Sequence, residues 1–510
     1  MTQAALWMLI TILVYLGGML LVGVLCAKGN DTAEDFFLGG RKLGPFITAM
    51  SAEANDMSSW LLMGLPGLAL LTGLADVAWT AIGLAVGTYL NWLFVARRIR
   101  RYSQITGAFT LPQFFSRRFR DEKKILSVIA AAIIIIFFIP YTASGFAACG
   151  KLFSSLFGVE YMPAMLISAV VIVAYTVAGG FLAAAMTDFV QSMVMTVAIV
   201  AILVFGIVSA GGWGAVLENA KSMPGYFEML ATYSGGQAQP YGLLKIVSTM
   251  AWGLGYFGMP HILLQFMAVK NEKKLGMSRR VGTGWVIVSM GIAIFIGIAG
   301  NALGVKGIIP VLSGTDSETV IIRISEHLAQ FGILPAILAG LVLSGILAST
   351  MSTSDSQLLA ASSSITQDVL GDKLGLKLSQ KTTMLVARLT VLVVAVLGVI
   401  LARNPNSSIF SIVSFAWAGF GAGFGPVVLC ALFWKRTTLP GAIAGMVAGG
   451  ATVFIWKYLV APLGGVFAIY ELLPAFLVGL VAIIVVSLLT KRPCDEIIVE
   501  FEKTRSNREL

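Results

Sequence analysis

Charged residues are scarce in this sequence: only 12% of its 510 residues are Asp, Glu, Lys or Arg, while 57% are hydrophobic. Soluble domains carry roughly 25% charged and 45–50% apolar residues. A water-soluble protein of this length could not cover its surface with so few charges, and the high hydrophobicity also excludes intrinsic disorder. The composition therefore predicts an integral membrane protein.

Signatures of metal binding, disulfide scaffolds and nucleotide binding are also missing. Two histidines and four cysteines show no metal-ligand spacing, so we expect no transition-metal site. No Gly-x-x-x-x-Gly-Lys-Ser/Thr loop occurs, which argues against an ATP-driven pump. The longest hydrophilic stretches, 97–123, 355–383 and 491–510, are too short for a soluble domain. The classes left open are an ion-gradient transporter, a passive channel, and a membrane enzyme built on intramembrane carboxylates.

Long apolar stretches dominate what is present. A spanning helix needs about 20 predominantly apolar residues, because the hydrocarbon core of a bilayer is roughly 30 Å thick. Thirteen stretches meet this requirement, and they predict an all-α polytopic membrane protein. The stretches are 6–27, 45–72, 74–96, 124–150, 161–180, 188–210, 241–268, 281–304, 330–353, 384–402, 408–432, 438–460 and 467–490.

The basic residues predict the orientation. If the loops between the thirteen stretches alternate sides, 28 of the 35 Lys and Arg residues fall on one side. Because such residues concentrate in cytoplasmic loops, we expect the N-terminus outside and the C-terminus inside. The net charge of +10 is then an effect of topology, so we expect a lipid bilayer and no nucleic acid as partner.

Some acidic residues lie inside the predicted spans, where they are costly and usually functional. Glu53 and Asp56 belong to the polar run Ser51–Trp60, which favours a locally unwound helix whose carbonyls face a ligand. A tightly packed helix interface rich in Ser and Ala is the alternative. Asp188 begins the sixth stretch, where it is either an N-terminal helix cap or a functional acid.

Two further runs resemble parts of a transport site. Three glycines and a proline interrupt the seventh stretch between Trp252 and Pro260, which makes a poor helix interior. This run lies five stretches after the polar run, and paired interrupted helices are typical of inverted-repeat transporters. Hydroxyls of Ser349, Ser352 and Thr353 share one face of the ninth stretch. They suit a hard cation such as Na⁺, unless they only bond to their own helix backbone.

Several motifs together resemble the solute:sodium symporter family, and within it the sodium/proline symporters. They follow one another in order over nearly the whole chain, from about residue 10 to residue 490. The motifs are GPFITAMSA at 44–52, DMSSWLLMGLPG at 56–67, GGFLAAAMTDFVQ at 179–191, WGLGYFGMPH at 252–261 and AWAGFGAGFGP at 416–426.

The resemblance implies a five-plus-five inverted-repeat, LeuT-like core within a single membrane transport domain. The implied parts are the whole transport domain at 1–490, an extra N-terminal helix at 6–27, the first repeat at 45–210, the second repeat at 241–432, two peripheral helices at 438–490, and a cytoplasmic tail at 491–510.

The resemblance also implies a sodium site between the first and eighth core helices. Its ligands would be the carbonyls of Ala54, Met57 and Ser349 and the hydroxyls of Ser352 and Thr353. The side chains implied or predicted to act in ion coupling are Asp56, Glu53, Arg41 and Asp188.

The implied solute site combines aromatic and small residues of both interrupted helices and one further helix. Aromatic faces can enclose a pyrrolidine ring and attract its ammonium group, and backbone N–H groups at a half-helix can meet a carboxylate. The implied contacts are Ser58, Trp60, Gly64, Tyr141, Trp252, Tyr256 and Pro260. Four positions, Glu53, Asn55, Ser59 and Ser349, depart from the residues usual in close relatives. The changes at Glu53 and Ser59 weaken the cargo assignment more than the mechanism.

The sequence thus predicts a bacterial inner-membrane symporter that imports L-proline with Na⁺ by alternating access. We expect no enzymatic activity and no cofactor beyond the co-transported ion. The alternatives are another small amino acid, a monocarboxylate or a sugar as cargo, proton in place of sodium coupling, and a channel or sodium-regulated sensor. A membrane enzyme using Glu53 and Asp56 as an acid–base pair is the remaining alternative.

Overall fold

A computed structural model describes residues 2–26, 37–178, 181–376 and 379–505. The predicted end of the first span at residue 27, the glycine pair 179–180 of one family-like motif, and the last five residues of the predicted tail lie outside these ranges.

Helices make up nearly all of the described chain. In chain order, the α-helices are α1 Gln3–Cys26, α2 Pro45–Ser59, α3 Leu65–Thr72, α4 Leu74–Leu90, α5 Ala96–Thr106, α6 Leu111–Arg118, α7 Ile125–Phe157, α8 Tyr161–Ala178, α9 Phe181–Ser209, α10 Trp213–Ser222, α11 Leu243–Met250, α12 Pro260–Ala268, α13 Leu275–Val305, α14 Val320–Leu328, α15 Ile333–Ser363, α16 Gln380–Ala402, α17 Ile409–Phe433, α18 Leu439–Ile455, α19 Leu472–Leu489 and α20 Asp495–Arg505.

Shorter elements join these helices. Two strands, β1 Ala231–Ser234 and β2 Gln237–Pro240, form an antiparallel hairpin. The 3₁₀ and π-helical turns are Gly39–Arg41, Trp60–Gly64, Asn91–Val95, Ala251–Phe257, Glu272–Lys274, Gly314–Thr319, Ala329–Phe331, Ser364–Lys373, Trp456–Val460, Ala461–Leu463 and Gly465–Phe467.

Each predicted span coincides with a helix or with helical segments joined by a short turn. Within the described residues, ten helices are long and apolar enough to cross a membrane. The second and seventh spans are divided at the two runs where the sequence predicts interruptions, around Ser58 and at Ala251–Phe257. The all-α polytopic fold class therefore follows from hydropathy. The second and seventh spans are the two helices that are interrupted.

The centre of the molecule is formed around the first interrupted helix. Helix α2 packs against α9, α13 and α15, and the second interrupted segment, Ala251–Phe257, packs against α4 and α17. Close approach needs glycine here: a Cβ on Gly87 of α4 would lie 2.3 Å from the carbonyl oxygen of Gly253. The backbones of α4 and the second interruption therefore touch directly.

The segments predicted to share the basic side come together at one end of the bundle, which we call the basic face. The Arg41 guanidinium donates to the Ala108 carbonyl at 2.7 Å, and Arg98 donates to the Leu432 carbonyl at 2.8 Å. These contacts join segments that are far apart in sequence.

The far end of the bundle, the opposite face, is tied by different contacts. The Lys151 ammonium lies 2.6 Å from the Glu318 carboxylate, and both side chains are buried. The Tyr226 hydroxyl donates to the Ala69 carbonyl at 2.8 Å and thereby fixes the hairpin region to α3. Contacts between distant segments thus occur at both faces, and the interrupted helices lie between them.

The described part of the predicted tail forms helix α20 on the basic face. Phe501 is only 2% exposed, and its ring centroid lies 5.5 Å from the guanidinium carbon of Arg118. Arg118 is itself buried, and its Nε donates to the Ala431 carbonyl. The hydrophilic tail therefore packs through one apolar side and covers a buried cation.

Candidate functional site

The first interruption is a sharp break at a single residue. Ser58 has φ +44° and ψ −168°, a conformation that serine rarely adopts, and it separates α2 from the π-helical turn Trp60–Gly64. The Ser58 hydroxyl accepts a hydrogen bond from the Trp60 N–H at 3.1 Å, which stabilises the break. The break changes the direction of the carbonyl groups that precede it, and these carbonyls face α15.

The candidate ion site lies where α2 meets α15. The Ser352 hydroxyl donates to the Ala54 carbonyl at 3.1 Å, and the Thr353 hydroxyl donates to the Asn55 carbonyl at 2.9 Å. The Ser349 carbonyl lies within hydrogen-bond distance of both hydroxyls, at 3.2 and 3.0 Å. Buried neutral oxygens gathered from two helices are ligands that suit a hard cation.

Four of the five predicted sodium ligands are therefore brought together: Ala54, Ser349, Ser352 and Thr353. Met57 belongs to the next turn of α2, and its carbonyl accepts the Trp60 N–H. The alternative that the hydroxyls bond only within their own helix is wrong for Ser352 and Thr353, because each also contacts a carbonyl of α2. Assignment of sodium to this cluster stays a prediction.

Asp56 faces the second interruption. Its carboxylate accepts a hydrogen bond from the Tyr256 hydroxyl, and its backbone carbonyl accepts one from the Tyr141 hydroxyl at 3.2 Å. Asp56 is only 6% exposed. Because its carboxylate is held by Tyr256, Asp56 connects the two interrupted helices next to the hydroxyl cluster.

Glu53 points to another side of α2. One carboxylate oxygen accepts the Trp92 indole N–H at 2.8 Å and the Thr88 hydroxyl at 3.1 Å. The other oxygen is buried and has no hydrogen-bond partner among the described residues. A Cβ on Gly282 of α13 would lie 2.8 Å from the bonded oxygen, so the carboxylate is tightly enclosed. Glu53 is thus packed toward α4 and α13.

Asp188 is buried in the interior of α9 rather than at its start. The described helix already runs from Phe181, so the interpretation of Asp188 as an N-terminal cap is wrong. Its carboxylate accepts the Ser51 hydroxyl at 2.8 Å, and Ser51 accepts an amide N–H of Gln265 at 2.8 Å. Asp188 therefore links α9 to both interrupted helices.

Arg41 is hydrogen-bonded to three different segments at the basic face. Its guanidinium donates to the Met267 carbonyl at 2.7 Å, to the Ala108 carbonyl at 2.7 Å and to the Ser103 hydroxyl at 3.0 Å. These three acceptors come from three different segments. One side chain therefore joins the entrance of α2 to the end of α12 and to the α5–α6 region.

The predicted solute site contains a small cavity. The space open to the centre of a water molecule is about 10 Å³, enough for one water at most. Its lining residues are Asp56, Met57, Trp60, Leu84, Tyr141, Trp252, Val413 and Trp417. An amino acid does not fit this volume, so the aromatic side chains must separate before a solute can enter.

The structure divides the predicted solute contacts into two groups. Trp60, Tyr141 and Trp252 line the cavity. Ser58, Gly64, Tyr256 and Pro260 do not belong to its described lining. Tyr256 instead holds Asp56, Pro260 begins α12, and a Cβ on Gly64 would lie 3.5 Å from Phe410.

Trp252 belongs to a cluster of aromatic rings at this cavity, and the sequence did not identify the other three members. The Trp252 ring centroid is 5.4 Å from Phe410, 5.2 Å from Tyr470 and 6.3 Å from Trp417. Trp417 Nε1 also donates to the Trp252 carbonyl at 2.7 Å. We call Trp252, Phe410, Trp417 and Tyr470 the aromatic cover. Trp417 lies in the family-like motif 416–426, which was the only sequence signal for it.

Comparison with known proteins places this site in a family context. A model of the sodium:solute symporter family matches residues 36–449. The chain is 44% identical over 503 residues to the sodium/proline symporter of Haemophilus influenzae, covering 97% of each chain. It is 43% identical over 487 residues to the sodium/proline symporter of Escherichia coli, covering 95% of this chain and 94% of the other.

A solved structure is similar over almost the full length. A Na⁺-coupled sialic acid symporter, in a substrate-bound outward-open state, matches with a TM-score of 0.78 and 17% sequence identity, covering 96% of this chain and 99% of that chain. At this identity the likeness concerns the fold alone. It confirms the predicted LeuT-like transporter fold.

Proposed function

The chain belongs to the sodium:solute symporter family, and from this premise we propose that it imports L-proline together with Na⁺ by alternating access. Identity with sodium/proline symporters over nearly the whole length of both chains supports the cargo and the ion. The same relatives support a multi-pass location in a bacterial inner membrane. With the basic face toward the cytoplasm, as the Lys and Arg residues favour, the aromatic cover is nearer the outside.

The observation that carries the proposal is the contact between the hydroxyls of α15 and the carbonyls of the broken α2. Ala54, Ser349, Ser352 and Thr353 supply neutral oxygens from both helices, and Met57 would complete the set. A sodium ion held there would join the two helices more strongly than the present hydrogen bonds, because ion–oxygen contacts in a buried site are strong. The Asp56 carboxylate would add negative potential beside the ion.

Sodium binding and solute binding are coupled through the first interruption. Asp56 and Trp60 lie on either side of Ser58, so ordering the break by an ion also positions residues that line the solute cavity. The rings of Trp60 and Trp252 lie 5.5 Å apart between their centroids and can separate to enclose a pyrrolidine ring. Occupation of one site therefore lowers the cost of ordering the other, which is the basis of coupling.

The two closures of the pathway differ in chemistry. We expect the solute to enter past the aromatic cover and to leave past Arg41, whose hydrogen bonds must then break. The aromatic rings are in contact on one side of the cavity, and Arg41 is hydrogen-bonded on the other, so movement at both places would be needed for transport. No chemical step on the solute is needed, and we propose that it is released unchanged.

The deciding experiment is uptake of radiolabelled proline into proteoliposomes under an imposed Na⁺ gradient. We expect accumulation above the external concentration, and its loss when the gradient is dissipated. Uptake that ignores Na⁺ would refute sodium coupling, and equilibration without accumulation would indicate a channel. A panel of other amino acids, monocarboxylates and sugars as competitors tests the cargo, and mass analysis of the recovered label tests for conversion.

Proton coupling is a second candidate, and one observation favours it. Glu53 keeps a buried carboxylate oxygen without a hydrogen-bond partner among the described residues. A buried polar atom of this kind needs an explanation, and a proton on that oxygen is one. Proline uptake driven by a pH gradient in the absence of Na⁺ would support this candidate, whereas strict dependence on Na⁺ would exclude it.

A further inference from the structure

A groove separate from the solute cavity opens at the basic face, between the end of α4 and the start of α13. Its volume is about 430 Å³. We call it the basic groove, and its lining includes Trp92, Leu93, Arg97, Glu272, Lys273 and Arg279. None of these residues lines the solute cavity or belongs to the candidate ion site.

The lining has an excess of positive charge. Among the described lining residues, Arg97, Lys273 and Arg279 are cations and Glu272 is an anion. The Glu272 carboxylate already accepts a hydrogen bond from the buried side chain of Arg101, whose Nε lies 2.6 Å from one carboxylate oxygen. Arg97 is farther away, 3.7 Å from the nearer Glu272 oxygen, and its side chain is 46% exposed. The described part of the lining therefore offers Arg97 and Arg279 as basic side chains to an anionic group.

Arg279 is positioned at the boundary of the apolar surface. Its guanidinium carbon lies 5.1 Å from the centroid of the Tyr89 ring, and Tyr89 is 41% exposed. A cation held over an aromatic face stays at a defined height while its N–H groups remain available to an acceptor. Tyr and Arg at this position are suited to the interface between headgroups and acyl chains.

An apolar stripe leads away from the groove along α4. Ile82, Val86, Tyr89 and Leu93 follow one another at spacings of four, three and four residues, so they share one side of the helix. All four side chains are exposed, between 37% and 47%. The positive groove and the apolar stripe together match a molecule with an anionic head and hydrocarbon chains.

We propose that the basic groove binds the headgroup of an anionic phospholipid, with its acyl chains along the Ile82–Leu93 stripe. The phosphate lies between Arg97 and Arg279, and the chains contact the Ile82–Leu93 stripe. Basic pockets between spanning helices on the cytoplasmic side are recognised by anionic headgroups in this way. A free phosphate would use the cations but not the stripe, so the lipid accounts for both features.

Native mass spectrometry of the purified full chain tests the proposal without relying on transport. The probes are phosphatidylglycerol and phosphatidylcholine with the same acyl chains. We expect phosphatidylglycerol to bind more tightly, and the double variant R97Q/R279Q to lose its affinity by roughly ten- to thirtyfold, from about 1 kcal/mol per basic side chain. The matched control K381Q/R388Q removes two exposed cations from α16 and should leave binding unchanged.

Three results would overturn the proposal. They are equal binding of the two lipids, an R97Q/R279Q variant that binds phosphatidylglycerol as the unaltered chain does, and displacement of the lipid by inorganic phosphate at matched concentration. If the double variant does not fold, photoreactive phosphatidylglycerol added to the unaltered chain provides the test. Labelling within 82–97 and 273–279 supports the groove, whereas labelling confined to other segments refutes it.

Discussion

Replacing Ser352 with alanine should weaken sodium binding while leaving the helix around it intact. The Ser352 hydroxyl contacts the Ala54 carbonyl of α2 at 3.1 Å and is completely buried. Serine to alanine on α15 removes one oxygen and costs no helix propensity, since alanine is the best helix former. The effect should therefore appear in ion binding rather than in folding.

The size of the effect follows from the kind of contact that is lost. A hydrogen bond between neutral groups contributes about 1 kcal/mol, whereas a contact to a charged group contributes about 1.5–3 kcal/mol. If Ser352 ligates the ion, the second value applies, and the apparent sodium affinity should fall by roughly ten- to a hundredfold. If the hydroxyl only joins α2 to α15, the fall should stay within about fivefold.

The assay is the Na⁺ concentration that gives half-maximal proline uptake in proteoliposomes. Ser344→Ala is the matched control, because Ser344 is equally buried on α15 but donates only to its own helix, to the Gly340 carbonyl at 2.8 Å. A variant S352A with the sodium dependence of the unaltered chain would refute the ion site. An equal shift in S344A would refute the reasoning from geometry.

Three further predictions follow from particular contacts. Glu53→Gln keeps an oxygen that can accept hydrogen bonds from the Trp92 indole and the Thr88 hydroxyl, so Na⁺-driven uptake should persist. If Glu53 carries a coupled proton, the pH profile of uptake should flatten in this variant. A profile of unchanged shape would end the proton hypothesis. Gly87→Ala should abolish uptake and lower the yield of folded protein, because its Cβ would lie 2.3 Å from the Gly253 carbonyl oxygen, whereas Gly284→Ala has open space and should behave normally. Phe501→Ala removes a buried ring at a cost of about 3–5 kcal/mol, so limited proteolysis should cleave the C-terminal helix at least tenfold faster; equal cleavage rates would show that the ring does not hold the helix.

Much of the fold was predictable because bilayer thickness sets a strong length requirement on apolar helices. The interruptions were also predictable, because a polar run around Glu53 and Asp56 and a glycine cluster after Trp252 are unsuited to an ordinary spanning helix. The helix ends were less accurate. Helix α15 continues to Ser363, beyond the predicted end at residue 353. Its last ten residues are largely polar, and a hydropathy criterion does not detect a polar helical segment.

The candidate site was only partly predictable, because its missing members are contacts between distant segments. Phe410, Trp417 and Tyr470 read as ordinary apolar residues of a span or loop, and periodicity cannot distinguish a ring that covers a cavity from one that faces lipid. The position of Asp188 was ambiguous because the apolar stretch read from the sequence begins at residue 188, whereas the described helix begins at Phe181. The Ser352 and Thr353 hydroxyls were found because their spacing on one helix is a local signal.

The first interrupted helix lies between the aromatic cover and Arg41, so an ion bound to it can affect both places. The first interruption touches the hydroxyl cluster through Ala54 and the aromatic cover through Trp60, whose ring centroid lies 6.3 Å from Phe410. Helix α2 begins at Pro45, four residues after Arg41 closes the basic face. A change in the angle at Ser58 therefore moves the aromatic end relative to the end beside Arg41, and a ligand that holds the break in one geometry favours one closure over the other. We therefore propose that coupling acts through Ser58, because the helical segments before and after this strained residue contact the hydroxyl cluster and the aromatic cover.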